Sequence, residues 1–438
     1  MCFILITKMA IADIKIKKAI KNACEFLKKT QNNNGSWSVE MVLHGAPAWY
    51  QKPVVLTSQC VQALIYAADI TYLPQISKGL HFCLTKEVED RDRVDVWAWK
   101  SLALKYSNAP IYKKEFHKLV KVVADRQTQA GCWRIFPSTF NLTNFSCILA
   151  LENSKFKKHL QQARRWFKKN LAKDGKGWGI DDNAAESAVS FTSNVAMALL
   201  ATGENPMHAE LQKARSFIEN SQLKNNCWSS SKATTTEPTT YATAIALETL
   251  MRLSDDPFNK KLEKGISRLL KSQAKDGGWP LVINEKETSV FYPTFYVIRV
   301  LSFYLYLKKQ MERKEIKSLS KNVTYPQYVI AYLFDKFEQN VAKTFQYSVF
   351  SYTLNSRVLG ITPRAIARRK EILKILGKKT DLGIADIIDE LKKLPQYEFL
   401  NKKSHITQIK SDIEYLKSLK LIGTTINDSY YTTYSVLS

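Results

Sequence analysis

Four stretches of this chain end in the same way, and no other feature constrains its fold as strongly. FLKKTQNNNGSW ends at Trp37, VVADRQTQAGCW at Trp133, FIENSQLKNNCW at Trp228 and LLKSQAKDGGW at Trp279. Gln31, Gln127, Gln222 and Gln273 each stand six residues before their Trp. Gly35, Gly131 and Gly277 stand two before it, and Asn226 takes that place in the Trp228 stretch. Gly and Asn both accept positive φ, so the Asn preserves the turn. A looser form, WFKKNLAKDGKGW, ends at Trp178. The Trp-to-Trp intervals are 96, 45, 50 and 51 residues, so the first span holds a repeat without its signature, near Leu73 to Leu104. Such repetition implies stacked units that cannot bury their apolar faces alone.

Two helix types alternate between the signatures. Segments such as IKKAIKNACEFLKKT and NKKLEKGISRLLKSQ are amphipathic and Lys-rich, which suits an outer ring with one solvated face. LTSQCVQALIYAA, DVWAWKSLALKY, NFSCILALEN, SFTSNVAMALLAT, TTYATAIALETL and FYPTFYVIRVLSFY are apolar with small residues, which suits an inner ring buried all round. Six pairs of helices are expected, with no strand between Met1 and Lys309. Helix physics leaves an open solenoid and a closed ring both available.

The pattern helix–Gln-x3-Gly-x-Trp over residues 14 to 309 resembles the QW repeat of the squalene cyclase and protein prenyltransferase superfamily. That resemblance implies a mainly α fold: an (α/α)6 toroid of six helical hairpins over residues 10–309. It implies function much less directly, because one fold hosts many chemistries.

The chemistry of that superfamily is mostly missing. Squalene-type cyclases protonate an alkene with Asp-x-Asp-Asp, and the sequence has no such run. The nearest approach is Asp92-Arg93-Val94-Asp95, with Trp97 and Trp99 beside it to supply π faces for a carbocation. Asp95 is the candidate acid and Asp92 its support; first-turn helix capping explains the same pair. Prenyltransferases hold zinc with Asp, Cys and His. The comparable places read Glu237-Pro238-Thr239-Thr240-Tyr241 and Phe291-Tyr292-Pro293, so no metal and no cofactor is expected. Asp181-Asp182 reads as a solvated turn. Glu186 and Glu237 would share the rim of Asp95 in a closed ring. Trp49, Tyr50, Trp97, Phe191, Tyr241, Tyr292 and Phe295 open the inner helices and are expected to line a central apolar cavity, by analogy with the family.

Beyond the run KKQMERKEIKSLSKN the texture changes. Residues 310–379 read as a linker region with a helix-turn-helix around Gly360 and Thr362-Pro363. Residues 380–438 read as helices followed by the alternating TTINDSYYTTYSV hairpin, a pattern that resembles a winged-helix domain. Its middle helix is sought in PQYEFLNKKS. Arg364, Arg368, Arg369 and Lys370 predict one basic face. Lys402, Lys403, His405 and Lys410 predict a basic recognition helix for nucleic acid, and a protein partner fits as well.

Composition sets the remaining bounds. The 438 residues allow about two to four domains. The net charge of +25 divides into +17 before residue 311 and +8 from there on, so it forms no tail. Nucleic acid, or peripheral contact with an anionic membrane, fits such a charge. The seven cysteines are scattered without CxxC spacing, which favours a reducing cytoplasm. Val290 to Leu307 is apolar but carries Arg299 and Pro293, so a buried helix is expected over a membrane span. The leading expectation is a binding or regulatory protein whose toroid holds an apolar, isoprenoid-like or peptide ligand. A divergent cyclase or prenyl-handling enzyme using Asp95, and a pure scaffold, are the alternatives.

Overall fold

The protein is described from a computed structural model covering residues 2–38, 52–88, 93–107, 112–135, 138–230, 237–254, 256–283, 289–312, 363–379, 381–397, 403–418, 422–426 and 432–436. It is mainly helical. The outer helices are α1 (Cys2–Lys29), α3 (Leu73–Thr85), α5 (Lys113–Asp125), α7 (Lys157–Lys169), α9 (Ala209–Asn220) and α11 (Lys260–Lys271). They alternate with α2 (Pro53–Tyr66), α4 (Val94–Ser107), α6 (Asn141–Leu151), α8 (Val189–Ala201), α10 (Thr240–Leu253) and α12 (Phe291–Glu312). The second set packs in the cyclic order α2, α4, α6, α8, α10, α12, and α12 returns to α2.

The two sets bury their residues as their sequences require. All of α6 and α10 is buried, and small residues such as Ala242, Ala244 and Ala246 let neighbouring helices approach closely. The α11 helix buries only Leu262, Gly265, Ile266 and Leu269, a stripe at three- and four-residue spacing, and leaves its lysines in water. Asn259 starts that helix by accepting from the backbone N–H groups of Lys261 and Leu262. Helices α3 and α4 occupy the span where the signature is missing. One small correction concerns strands: β1 (Arg134–Ile135) and β2 (Ser138–Thr139) form a minimal antiparallel pair after Trp133.

Each repeated Gln, Gly and Trp has a defined mechanical role. The indole N–H of Trp37, Trp133, Trp228 and Trp279 donates to a carbonyl ten residues back in its own outer helix, at 2.7–2.8 Å. The Trp backbone N–H donates to Thr57, Asn144, Thr243 and Thr294 respectively, one turn into the following inner helix. Each Gln amide donates to the next outer helix: Gln31 to Gln75 O, Gln127 to His159 O and Gln222 to Lys261 O. Gln273 donates to Ala19 O at 2.8 Å, which ties the last outer helix to the first across 254 residues.

The turn residue is left-handed as expected. Gly277 has φ +102°, and an added Cβ would lie 2.4 Å from Asn22 O of α1. Asn226 adopts φ +66° at the matching place. Its Cβ keeps that turn farther from the next helix, and both Gln222 bonds lengthen to 3.3 Å.

The C-terminal unit is α13 (Pro363–Lys378), α14 (Ile384–Lys392) and α15 (Lys403–Ser418), then the antiparallel pair β3 (Ile422–Ile426) and β4 (Thr432–Val436). Ile372 and Leu376 of α13 share a core with Ile387, Leu391, Ile409, Ile413 and Ile422. The unit therefore extends to α13, which the sequence reading had assigned to the linker region 310–379. Its middle helix is α14, and only a short turn at Pro395–Tyr397 falls in the segment expected to supply it. Gly360 lies outside the described residues. No helix among the described residues is long and apolar enough to cross a membrane.

Candidate functional site

The inner helices share a register set by the residue that meets the Trp backbone. Thr57, Asn144, Thr192, Thr243 and Thr294 hold that outward place. Side chains two residues earlier, or two, five and nine later, lie on the opposite side of each helix at about 100° per residue. They point toward the ring axis. In α4 the outward place is taken by Trp97, whose ring carries the Arg126 guanidinium at 5.3 Å. Trp97 was expected to line the cavity; it faces the end of α5 instead.

Asp95 lies on the axial side at the mouth, where the inner helices begin, and is fully buried. Arg93 Nε donates to Oδ1 at 3.2 Å and Nη2 to Oδ2 at 3.0 Å. The same Nη2 donates to Thr143 Oγ1 of α6, and the guanidinium lies 5.8 Å from the Phe140 ring. Burial raises the Asp95 carboxyl above its ordinary range, while Arg93 and the Thr143 hydroxyl pull it back. Both oxygens thus accept from Arg93. Asp92 lies outside the described residues, as do Trp49 and Tyr50.

Aromatic rings cluster beneath the mouth. Tyr241 lies 4.6 Å from Tyr292 and 4.7 Å from Tyr296, and Phe295 joins Tyr296 at 4.7 Å. Trp99 of α4 meets Phe295 edge-on. Asn194 Nδ2 donates to the Tyr241 hydroxyl, which burial pushes up to about 12. Phe295, Tyr296 and Trp99 are each 1% exposed and Tyr241 is 7% exposed, so these rings are buried against one another and their neighbours. Tyr292 and Phe191 stay half-buried, the latter against Phe140.

One turn deeper lies a cluster that sequence reading missed. Glu248 of α10 accepts from Arg252 Nη2 at 2.6 Å and from Arg299 Nε of α12 at 2.8 Å. All three are buried. Burial pushes the Glu248 carboxyl up, but the Arg299 and Arg252 charges overcome it and hold it below its ordinary range. Arg299 also lies over Tyr66 of α2, and Arg252 over Phe303 of α12. The signal was present: Glu, Arg and Arg interrupt otherwise apolar inner helices at axial positions. A charge there needs a partner, because an unpaired buried ion is strongly disfavoured.

The other singled-out residues are placed as follows. Asp182 accepts from Thr139 Oγ1 at 2.6 Å, and Asp181 accepts from the backbone N–H of Asn183, so the acid pair fastens a loop. Glu186 and Glu237 are exposed. The six described cysteines, from Cys24 to Cys227, are free and buried. Arg368 and Arg369 do not contribute to a solvated basic face: both are buried and bonded to Asp412 of α15. Lys410 is exposed, Lys402 lies outside the described residues, and Arg364 and Lys403 fall on helices at positions whose side chains are not described.

No protein-family model matches the chain, and no curated protein matches it. Among solved structures it is similar to the type II terpene cyclase MstE from Scytonema, with a TM-score of 0.49 and 13% identity, over 66% of this chain and 98% of that one. A protein from Actinoplanes matches with a TM-score of 0.49 and 11% identity, over 65% and 98%. The ent-copalyl diphosphate synthase from Streptomyces platensis matches with a TM-score of 0.42 and 17% identity, over 58% of this chain and 50% of that one.

Proposed function

We propose that this chain is a non-catalytic binding protein: a closed ring of six helical hairpins that takes an apolar, isoprenoid-like ligand at its mouth. The observation that carries this reading is the engagement of Asp95. A carboxylic acid that protonates an alkene needs an O–H free to point at the substrate, and both Asp95 oxygens already accept from Arg93. The axis supports the same reading. It holds two guanidinium groups against one carboxylate, and that excess positive charge in a low-dielectric interior repels a travelling carbocation. Half-buried Tyr292, Phe191 and Phe140 supply the contact surface at the mouth. The C-terminal unit is read as a winged-helix-like module for a partner. Any contact with DNA would run through Arg364, Lys402, Lys403 and Lys410, because Asp412 occupies Arg368 and Arg369.

A divergent cyclase is the second reading, favoured by the burial that raises the Asp95 carboxyl beside aromatic rings. One experiment separates the two. Purified protein is titrated with geraniol, farnesol and geranylgeraniol by aromatic fluorescence, then incubated with squalene and geranylgeranyl diphosphate. The binding reading expects saturable quenching and no product. Product formation that Asp95→Asn abolishes would sink it. A fluorescent duplex titrated at several salt concentrations tests the DNA contact, which a flat signal would remove.

A further inference from the structure

At one level of the ring, three inner helices bury polar atoms that the fold does not use. The level lies two residues past the place that meets the Trp backbone, counted in α4 from Trp97. It holds Gln59 of α2, Trp99 of α4, Asn194 of α8 and Tyr296 of α12. All four are buried, Gln59 and Asn194 completely. Gln59 Nε2 and Oε1, Trp99 Nε1 and Asn194 Oδ1 have no hydrogen-bond partner within the protein. Asn194 uses only its Nδ2, toward Ser190 O and the Tyr241 hydroxyl.

These atoms look onto one region. Helices α4 and α12 both pack on α2, and yet Trp99 and Phe295 touch each other. They meet on the axial side of α2, which is the side of Gln59. From Phe295 the contacts run through Tyr296 and Tyr241 to Asn194. Buried polar groups are nearly always hydrogen-bonded, so unpartnered ones gathered at one level call for a group from outside. Helix α2 itself shows the contrast: Gln62, three residues on, is equally buried, and its Nε2 donates to Ser58 O at 3.1 Å.

The atoms specify the chemistry of that group. Trp99 Nε1 donates, Asn194 Oδ1 accepts and the Gln59 amide does both. A hydroxyl donates and accepts, so it satisfies this set. A carboxylate or diphosphate only accepts, and it would set negative charge against two amide oxygens. The level lies four residues, about 6 Å along the helices, below Asp95, Tyr241 and Tyr292 at the mouth. We infer that the ring holds the hydroxyl of a neutral, isoprenoid-like alcohol among Gln59, Trp99 and Asn194, with the chain of that alcohol against the rings at the mouth. This rests on the apolar-ligand reading above and adds the head group to it.

Two measurements test it. In melts of the ligand-free protein, Gln59→Met removes both unpartnered atoms at nearly constant volume and is expected to keep or raise the Tm. Gln62→Met, which breaks a bond that the fold uses, should lower it by about 2–4 °C. A fall in Gln59→Met as large as that in Gln62→Met, or a failure to fold, overturns the inference. The parent is also titrated with geranylgeraniol, its methyl ether and geranylgeranyl diphosphate by aromatic fluorescence. The alcohol is expected to bind about tenfold more tightly than either, the worth of one hydrogen bond, and Gln59→Met to lose that preference. Saturable binding without the preference overturns the inference and leaves the apolar-ligand reading standing. No binding of any of the three overturns both.

Discussion

Two seams of the ring differ in how they are fastened. Between α11 and α1, Gln273 bonds both its own turn and the first helix, at 2.7 and 2.8 Å, and Gly277 lets the backbones touch. After α3, the place of the Gln is taken by Glu87, whose carboxylate has no N–H to give a carbonyl. No Trp follows in the expected turn, and the next one, Trp97, sits inside α4. The hairpin without that Gln and Trp is also the one that holds Arg93 and Asp95, stacks Trp97 on Arg126 and buries Ser77 and His81.

That contrast can be broken by mutation. The largest effect is expected for Trp279→Ala, which empties a fully buried site and removes the indole bond to the Leu269 carbonyl. It should cost about 3–5 kcal/mol in urea unfolding. Trp97→Ala, half-buried on its helix, should cost about 1 kcal/mol by the same measurement, at the low end for point substitutions. Equal losses would mean that the two seams are alike.

Acid should act on the unfastened hairpin. The His81 imidazole is held at about 4 against an ordinary 6.5, so as pH falls the unfolded chain binds the proton first. Stability present above about pH 6.5 is therefore lost on the way to pH 4, by roughly 3 kcal/mol. Melting curves between pH 7 and 4 should show a shallower decline for His81→Gln than for the parent.

Gln273→Ala should cost about 1–2 kcal/mol, since it removes two neutral hydrogen bonds and leaves buried carbonyls to find water. The smallest change is a gain. Asn226→Gly removes the Cβ that holds the α9 turn away from α11 and is expected to stabilise by a few tenths of a kcal/mol, about 0.5, where φ is positive. A crystal structure of the variant should show the Gln222 bonds shortened from 3.3 Å toward those of Gln273.

Much of the repeat was legible because its parts are local. Gln, Gly and Trp at fixed spacing specify a turn that any reader of the repeat can locate, and Asn226 was a foreseeable match for glycine. The candidate site was legible only in part. The place of Asp95 in the first turn of α4 is legible in sequence, but its double engagement by Arg93 is not, because two residues of separation leave side-chain direction open. Tyr241 and Tyr292 open different inner helices, and their ring contact, with Tyr296 between them and Phe295, is set by how α10 and α12 meet. Glu248 and Arg299 are 51 residues apart, and their pairing depends on two helices meeting face to face.

The sequence by itself determined the period, the alternation of solvated and buried helices and the residues that fasten them, because each follows from apolar spacing and backbone sterics within one hairpin. Only the tertiary structure decided that Gln273 reaches Ala19, that Tyr241 packs on Tyr292 and Tyr296, that Glu248 pairs with Arg299, and that Ser77 and His81 are buried. Those outcomes depend on which surfaces meet across hundreds of residues, and a local pattern carries no record of its distant partner.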